Sequence, residues 1–427
     1  MNTIDVLLIG SGGREHALAW KLKQSARLGK LYIAPGNPGM ATLGELVNIK
    51  VDDITGLLEF ALAHNIGLTV VGPEDPLNAG IADTFAEKGL RVFGPSARAA
   101  QIESSKVWAK NLMFETEIPT AAYHVYSGYN GALDQVRSMT GPFVIKASGL
   151  ALGKGVYVCH TVAAGIEALG KIFVEKVHGD AGNTVVIEAF LPGREVSAHA
   201  LCDGKVGRLM LFSEDHKQAF DRDQGPNTGG MGTYAPVTWV RPELSSVVQR
   251  DIINPVLQYM KSYRFVGLLY PGLMIDEGGY PKVLEFNCRF GDPETQVLMR
   301  LLKNDLLDLF EACVDGTLAS HTLEWENKHA VCVVLASGGY PGSYTKGFPI
   351  TGLDAVLDAV EDDDIVVFHA GTAIKNGQLV TNGGRVLGVT AIADTLEDAR
   401  TKVYAVIEQH IRFEGMHYRK DIGARPM

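Results

Sequence analysis

Apolar runs alternate with helix-like segments along the first 102 residues of the chain. The apolar runs end in Gly or Pro turns and lie at 5–10, 30–36, 68–74 and 91–96. This alternation predicts an N-terminal α/β domain over 1–102, built on a parallel sheet with helices on both faces. Ligands of such sheets bind at the carboxyl ends of the strands. Those ends carry residues 10–15, 35–37 and 72–75.

The remaining pattern is that of an α+β multidomain chain. Its predicted parts are a connecting segment at 103–120 with a helix at 104–115, a small lobe at 121–190 with a helix near 162–176, a large lobe at 191–327, and a small strand-rich α+β domain at 328–427. The large lobe has predicted strands near 195–213, 267–276 and 282–288, and predicted helices near 242–262 and 293–315. We find no internal repeat.

Length, charge and cysteine usage narrow the class of protein. A chain of 427 residues is long enough for about three domains. Its net charge of −10 disfavours nonspecific binding to nucleic acid or membranes, and no apolar run approaches the ~20 residues that span a bilayer. The first residues carry no export signal, and the five cysteines show no CxxC or disulfide-like spacing. We therefore expect a cytoplasmic protein without nucleic-acid or membrane partners.

The first glycine motif, "IGSGGREHAL" at 9–18, only partly matches a dinucleotide fingerprint. Gly10 and Gly12 fit the pattern, but Glu15 stands at the third glycine, and the second strand ends without an acid for a ribose hydroxyl. What remains is a glycine turn feeding a helix N-terminus, which is a generic phosphate site. The alternative is a tight turn that binds no ligand.

A second glycine-rich segment, "SGLALGKGV" at 148–156, lies between two predicted strands. Its spacing is not that of a Walker A loop, but a β-turn-β loop of this kind can fold over a triphosphate. Lys146 closes the apolar strand just before the segment. That lysine either snorkels at a strand end or contacts phosphate, and the neighbouring loop favours phosphate.

Two further segments are candidates for a nucleotide site. In "VVIEAFLPGREVS" (185–197), Glu188 ends an apolar strand and Glu195 begins the next; an adenine needs an apolar slot, and its ribose needs a carboxylate. Taken alone, an ordinary strand connection with exposed glutamates explains this segment better. The long, polar, glycine-rich stretch at 213–236 is either an active-site loop or disordered, and its composition favours an active-site loop.

The last motif, "VLEFNCRFGDPETQ" at 283–296, reads as a strand with one polar face. Strand alternation predicts one face with Val283, Glu285 and Asn287 and an opposite, core face with Leu284, Phe286 and Cys288. Glu285 and Asn287 supply the hard oxygen ligands that Mg²⁺ or Mn²⁺ prefers. Arg289 and Asp292 could hold the carboxylate and ammonium of a zwitterion. The alternative is a solvated strand face with a surface ion pair.

Taken together, these motifs resemble the ATP-grasp superfamily of carboxylate–amine ligases. Within it, the chain is similar to the glycinamide ribonucleotide synthetase family of de novo purine synthesis. The similarity rests on "GGREHALAWKL", "APGNPG", "VGPEDPL", "VFGPS", "DHK", "GPNTGGMG" and "EFNCRFGDPETQ", and it continues through "GGYPGSY" and "GGRVLGVTA" near the C-terminus. The expected fold is a pre-ATP-grasp domain, a two-lobed ATP-grasp core and a C-terminal domain.

The resemblance implies ATP-dependent ligation of glycine to 5-phosphoribosylamine through glycyl phosphate, with Mg²⁺ or Mn²⁺ held by Glu285 and Asn287. It implies catalytic roles for Arg289, Asp292 and Lys146. The implied ATP-binding residues are Lys106, Lys146, Gly149, Gly153, Gly155, Glu188, Ala189, Leu191 and Glu195. The implied substrate-binding residues are Gly12, Gly13, Arg14, Glu15, Asn37, Glu74, Asp75, Asp215, Lys217, Asn227, Arg289 and Asp292. We expect the phosphoribosylamine in the N-terminal domain and a monomeric enzyme.

Two departures from the family pattern affect these expectations. The family has Asp where this chain has Ser148, which bears on closure of the flap. Many ATP-grasp enzymes carry a second metal-binding carboxylate on the preceding strand, where this chain reads "PGLMI" and Asp276 falls at the hairpin turn. The alternatives are another ATP-grasp ligase of purine metabolism, an NAD-linked oxidoreductase, which the failed fingerprint opposes, and a catalytically silent nucleotide-binding module.

Overall fold

The computed structural model describes residues 3–150, 155–359 and 364–424. The N-terminal domain contains β1 Ile4–Gly10, α1 Gly13–Leu22, β2 Leu28–Pro35, β3 Glu45–Leu46, α2 Ile54–Ala63, β4 Leu68–Val71, α3 Glu74–Asn78, α4 Ile81–Ala86 and β5 Val92–Phe93. Its strands are ordered β3-β2-β1-β4-β5, and every pairing is parallel. The central strands are continuous apolar runs because helices cover both faces. The predicted parallel sheet is confirmed, and β1, β2 and β4 end side by side.

The connection and the small lobe follow. Their elements are α5 Ala97–Ser104, α6 Lys106–Glu115, β6 Tyr123–Tyr126, α7 Tyr129–Ser138, β7 Phe143–Ala147, β8 Val156–Cys159, α8 Val162–Leu169 and β9 Val185–Ala189. The predicted helix at 104–115 corresponds to α6, which begins two residues later. Ser105 separates α6 from α5, and its hydroxyl caps α6 by accepting the Trp108 N–H at 3.2 Å. The strands form an antiparallel sheet ordered β6-β9-β7-β8.

The large lobe is built on a second antiparallel sheet. Its elements are β10 Arg194–Ser197, β11 Ala200–Asp203, β12 Gly207–Leu209, β13 Glu214–Asp215, β14 Gln218–Phe220, β15 Gln224–Asn227, β16 Gly232–Ala235, α9 Glu243–Val248, α10 Asn254–Tyr259, β17 Val266–Ile275, β18 Pro281–Asn287, α11 Glu294–Leu301 and α12 Leu306–Asp315. The sheet runs β10-β17-β11-β12, and β18 pairs with β17. The predicted helix at 293–315 breaks into α11 and α12, and the stretch at 213–236 contains four short strands.

A bulge in β18 corrects the predicted faces of that strand. Gly272 of β17 pairs with Glu285, and the next residue, Leu273, pairs with Val283, so Leu284 is an extra residue. A bulge shifts strand alternation by one position. Val283 is consequently buried in the core, and Leu284 lines the cavity described below. The prediction was therefore wrong for these two side chains.

The C-terminal domain shares its sheet with the large lobe. Its own elements are β19 His329–Ala336, α13 Leu353–Ala359, β20 Ile365–His369, β21 Thr372–Lys375, β22 Gln378–Thr381, β23 Arg385–Ala393 and α14 Leu396–Gln409. The sheet order is β13-β16-β19-β23-β20. Since β13 and β16 come from the segment assigned to the large lobe, the boundary expected at 327/328 crosses a continuous sheet.

The buried apolar side chains of the described residues form three clusters. The small lobe has its own cluster, which includes Phe143, Ile145 and Ile187. The other two clusters each combine residues from the N-terminal domain, the large lobe and the C-terminal domain. Three of the parts therefore pack as one unit, and the small lobe packs as another. No helix in the described part of the chain is long and apolar enough to cross a membrane.

Candidate active site

All four parts of the molecule contribute to one cavity of about 1410 Å³. Apolar side chains from both lobes line part of it, including Val144, Val158 and Met274. Among the predicted site residues, those that line it are Arg14, Glu74, Lys106, Lys146, Gly155, Glu188, Ala189, Leu191, Glu195, Asp215, Lys217, Asn227, Glu285, Asn287, Arg289 and Asp292. An apolar slot beside converging charges is the arrangement that a nucleotide site requires.

Glu188 lies between two buried lysines at the boundary of the lobes. Its carboxylate oxygens are 3.0 Å from Lys146 Nζ and 3.1 Å from Lys110 Nζ. Lys146 also donates to the Leu284 carbonyl at 2.8 Å, and Lys110 donates to the Thr120 hydroxyl at 2.7 Å. Burial lowers the pKa of Lys110 to about 8, although Glu188 opposes the shift. The motifs missed Lys110, but its position four residues after Lys106 puts both lysines on one helix face.

Lys106 begins α6 and lies beside the metal-binding candidate Glu285. Its backbone N–H donates to the Ser148 carbonyl at 2.9 Å, and the Ser148 hydroxyl accepts the Val107 N–H at 3.3 Å. Burial lowers the pKa of Lys106, and Glu285 is the strongest influence that opposes this shift. Ser148, the position that departs from the family pattern, therefore helps to hold the start of the helix that carries Lys106.

The two metal-ligand candidates face the cavity with oxygens suited to a hard cation. Burial raises the pKa of Glu285, but the lysines Lys106 and Lys146 lead a set of cations that lowers it below the ordinary value, so the carboxylate is charged at neutral pH. Asn287 Oδ1 accepts from Arg289 Nη2 at 3.1 Å. The described residues contain no cluster of three or more His, Cys, Asp or Glu side chains that could hold a metal. The donors fit Mg²⁺ that shares its coordination shell with phosphates.

Arg289 joins three elements at the centre of the site. Its guanidinium lies 3.1 Å from Glu74 and 2.9 Å from Glu103 of α5. Burial raises the pKa of Glu74, but Arg289 and then Arg14 lower it to about 2. The guanidinium is thus largely engaged by protein carboxylates. Glu103 lies outside the motifs found in the sequence, and it was not predicted as a site residue.

The glycines of α1 make room for side chains of the protein itself. The Gly12 N–H donates to Glu15 Oε2 at 2.7 Å, which caps the helix internally. A Cβ at Gly13 would lie 2.6 Å from Nε2 of Gln296 in α11. Asn37 donates to the carbonyls of Ser11 (2.8 Å) and His369 (2.9 Å). These four residues therefore make intramolecular contacts.

Two further predicted positions, Asp75 and Gly149, lie outside the lining of this cavity. Asp75 is exposed in the first turn of α3. Gly149 packs closely against the 3₁₀ segment Gly179–Gly182, since a Cβ there would lie 2.7 Å from Ala181 Cα. Gly153 lies outside the described residues.

Two acids and one base lie close together in the cavity; the side chain of Asp215 is buried, and those of Lys217 and Glu195 are partly exposed. Lys217 Nζ is 3.0 Å from Asp215 Oδ2 and 3.8 Å from Glu195 Oε1. Burial raises the pKa of Asp215 to about 7, against the effect of Lys217. The predicted loop at 213–236 thus reaches the cavity, although it is largely organised into β13 to β16. Such a mixture of acids and a base can hold a small zwitterion.

The fold and the site together define an ATP-grasp ligase. Family models of phosphoribosylglycinamide synthetase match most of the chain: the N domain at 4–103, the ATP-grasp (A) domain at 104–295 and the C domain at 330–425. The chain therefore belongs to the phosphoribosylglycinamide synthetase family, as the motifs indicated.

Individual relatives agree with that assignment. The phosphoribosylamine–glycine ligase of Caldanaerobacter subterraneus subsp. tengcongensis is 47% identical over 98% of this chain and 99% of its own length. The crystal structure of the Thermotoga maritima phosphoribosylamine–glycine ligase superposes with a TM-score of 0.84 at 33% identity, covering 98% of this chain and 100% of that one. The biotin carboxylase domain of a Hydrogenobacter thermophilus carboxylase, at 14% identity and a TM-score of 0.74 over 97% of this chain and 92% of that domain, shares the fold.

Proposed function

We propose that the chain ligates glycine to 5-phosphoribosylamine with ATP, giving glycinamide ribonucleotide, ADP and phosphate. The observation that carries the proposal is that one cavity joins Lys106, Lys146 and the metal-ligand candidates to Arg14 and Glu74 of the N-terminal domain. A nucleotide between the lobes and a substrate at the sheet edge would thus meet in one enclosed space. Membership of the family supports the same reaction.

The chemistry suits a protein that supplies positions and charges. A glycine carboxylate is a poor electrophile because its leaving group would be oxide. Transfer of the γ-phosphoryl group gives glycyl phosphate, whose leaving group is phosphate, and the amine of phosphoribosylamine then attacks the acyl carbon. Lys106 and Lys146 would hold the ATP phosphates, and Arg289, Asp292, Asp215 and Lys217 would surround the glycine. Catalysis then comes from proximity and charge neutralisation.

Glu285 and Asn287 would hold Mg²⁺ or Mn²⁺. When bound, such an ion neutralises phosphate charge during transfer. Glu285 is kept ionised by surrounding cations, and that supports its role as a ligand. We place the adenine against the apolar slot near Ala189 and Leu191, and the ribose near Glu195.

We place the phosphoribosylamine at the edge of the N-terminal sheet. Support comes from the side-by-side ends of β1, β2 and β4 and from Arg14 and Glu74, which face the cavity. Glu15 and its glycines would then shape this edge indirectly. We also propose a monomer, and the five free, buried cysteines suit a reducing cytoplasm.

The test is a phosphate-release assay with ATP, glycine and freshly made phosphoribosylamine, omitting each in turn. We expect full release only when all three are present, and formation of glycinamide ribonucleotide in the same reaction. Formate or bicarbonate in place of glycine should give no product. Release that is independent of glycine, or supported by bicarbonate, would show that the enzyme is a different ATP-grasp ligase.

A further inference from the structure

Two C-terminal motifs that the reaction leaves without a role meet at one turn of the active site. "GGYPGSY" supplies Tyr340, and "GGRVLGVTA" supplies Arg385; both side chains line the cavity. The turn they contact is Gly229–Gly230 of "GPNTGGMG", which lies 111 residues before Tyr340 and 156 before Arg385. The turn and Arg385 lie against Asp215 and Asp292, which are candidates for binding glycine. This contact therefore concerns the part of the cavity that we assign to glycine, called the acceptor end below.

Arg385, which was not among the predicted site residues, bonds both to the turn and to Asp292. Its Nη1 donates to the Gly229 carbonyl and to the Asp292 carbonyl, each at 2.5 Å. Its Nη2 lies 3.3 Å from the Asp292 carboxylate. The guanidinium therefore fixes both the backbone and the side chain of Asp292 while it holds the turn.

The two glycines allow these contacts. A Cβ at Gly229 would lie 3.1 Å from Arg385 Cζ, and one at Gly230 would lie 2.7 Å from Asp215 Oδ1. Gly230 also has a φ of +110°, which L side chains rarely adopt. The Gly229 N–H donates to the Tyr340 hydroxyl at 3.1 Å. The turn is thus packed between the C-terminal domain on one side and Asp215 on the other.

We propose that Arg385 is a positioning residue of the glycine site, through which the C-terminal domain holds Asp292 and the Gly229–Gly230 turn against the acceptor end of the cavity. This proposal rests on the proposed function, because the proposed function is what assigns the acceptor end of the cavity to glycine. A planar guanidinium with several fixed donors is suited to hold a carboxylate and two carbonyls at once. A small displacement of groups that orient a substrate can cost a large factor in rate.

The test compares Arg385→Met, Arg385→Lys and a matched control, Arg412→Met, by steady-state kinetics with each substrate varied. Arg412 also donates from the C-terminal domain to main-chain carbonyls, at Ile407 (2.8 Å) and Ile411 (2.7 Å), but it lies at the end of α14. For Arg385→Met we expect kcat to fall about tenfold or more and the KM for glycine to rise, while the KM for ATP stays within about twofold. Arg385→Lys should recover part of the loss, and Arg412→Met should match the wild type.

A double-variant cycle tests whether Arg385 acts through Asp292. If it does, Arg385→Met should reduce kcat less in an Asp292→Ala background than in the wild type. Full additivity, an equal rise in the KM for ATP, or losses no greater than those of Arg412→Met would overturn the proposal. If Arg385→Met fails to fold, Tyr340→Phe removes the other contact to the turn, and an unchanged KM for glycine would then overturn it. An inactive wild type would instead contradict the proposed function.

Discussion

At the scale of single residues, Glu15 shows how one side chain changes the meaning of a glycine pattern. Gly10, Gly12 and Gly72 leave space for its carboxylate, which accepts the first free N–H of α1. In a dinucleotide site, that space and that donor belong to the ligand. The carboxylate at the third position of the fingerprint therefore argues physically against an NAD-linked oxidoreductase.

The first prediction concerns the metal-ligand candidates. Glu285→Ala and Asn287→Ala should each lower kcat by about 10²-fold or more, with a smaller effect on ATP affinity, because charge neutralisation acts mainly in the transition state. Asp276→Ala is a matched control, since this carboxylate caps the turn between β17 and β18 by accepting the Tyr280 N–H at 2.9 Å. Near-wild-type turnover of both site variants at saturating Mg²⁺ would contradict the metal assignment.

The second prediction concerns the buried lysine that the motifs missed. Lys110→Met should destabilise the fold by about 3 kcal/mol, because it leaves Glu188 with one cation instead of two in a buried ion group. It should also weaken ATP binding, since an uncompensated Glu188 holds Lys146 more tightly. Urea unfolding and calorimetric titration with ATP measure the two effects.

Lys146→Met and Lys171→Met are compared with Lys110→Met, the first expected to have a larger effect on ATP binding and the second none. Lys146→Met should weaken ATP binding more than Lys110→Met does, because it removes a proposed phosphate contact. Lys171→Met removes an exposed lysine paired with Glu167 and should leave unfolding and binding unchanged. Equal ATP affinities in the wild type and the Lys110 and Lys146 variants would refute a phosphate role for this group.

At the scale of elements, the ends of β7 and β8 frame the glycine-rich segment. Ser148 and Gly149 donate their N–H groups to the carbonyls of Thr184 (2.9 Å) and Ala181 (3.1 Å), and Leu150 and Gly155 line the cavity. The Ala147 N–H bonds to the Gly155 carbonyl at 2.9 Å. These bonds tie both described ends of the segment to the small lobe.

The third prediction follows from that frame. Hydrogen exchange of the amides at 148–150 and 155–156 should slow when ATP and Mg²⁺ bind together, because a nucleotide would tie both strand ends to the cavity and the glycines leave few side chains to do so beforehand. Amides of β1, far from the lobe boundary, serve as the internal reference. The same protection with and without nucleotide would exclude a closing flap.

At the scale of the whole molecule, the N-terminal and C-terminal domains meet through two histidines. The buried His16 accepts the His369 backbone N–H on Nδ1 at 2.8 Å, so this nitrogen must be unprotonated. Burial, with His369 as a second influence, lowers the pKa of His16 to about 3, and burial lowers that of His369 to about 4. Protonation of these histidines at low pH therefore weakens a contact between the N-terminal and C-terminal domains.

The fourth prediction is that acid destabilises the folded protein through these two histidines. Below the ordinary pKa of 6.5 the unfolded histidines take up protons and the folded ones do not, so stability falls as the pH drops from about 6.5 towards 4. Each histidine should contribute a slope of up to about 1.4 kcal/mol per pH unit. His16→Asn, whose Oδ1 can still accept the N–H, should show a shallower slope in urea unfolding between pH 6.5 and 4. A slope equal to the wild type would contradict the assignment.

The sequence by itself determined the local features. Apolar runs and glycine turns predicted the N-terminal parallel sheet because period and turn chemistry are short-range properties. The motif strand displayed Glu285 and Asn287 as predicted because adjacent positions on one strand face need no distant information. The long motifs carried the family, and with it the reaction.

Only the tertiary structure decided which distant groups meet. The β18 bulge depends on pairing with β17, so alternation alone misplaced Val283 and Leu284. The β16–β19 pairing, the Lys110–Glu188 contact and the bonds from Arg385 to Asp292 join residues that are tens of positions to about a hundred apart. The local periodicity of the sequence does not record such contacts. The intramolecular contacts of Gly12, Gly13 and Asn37 with Glu15, Gln296 and His369 likewise became visible only in the fold, because the sequence alone does not show which groups lie next to a glycine or an asparagine.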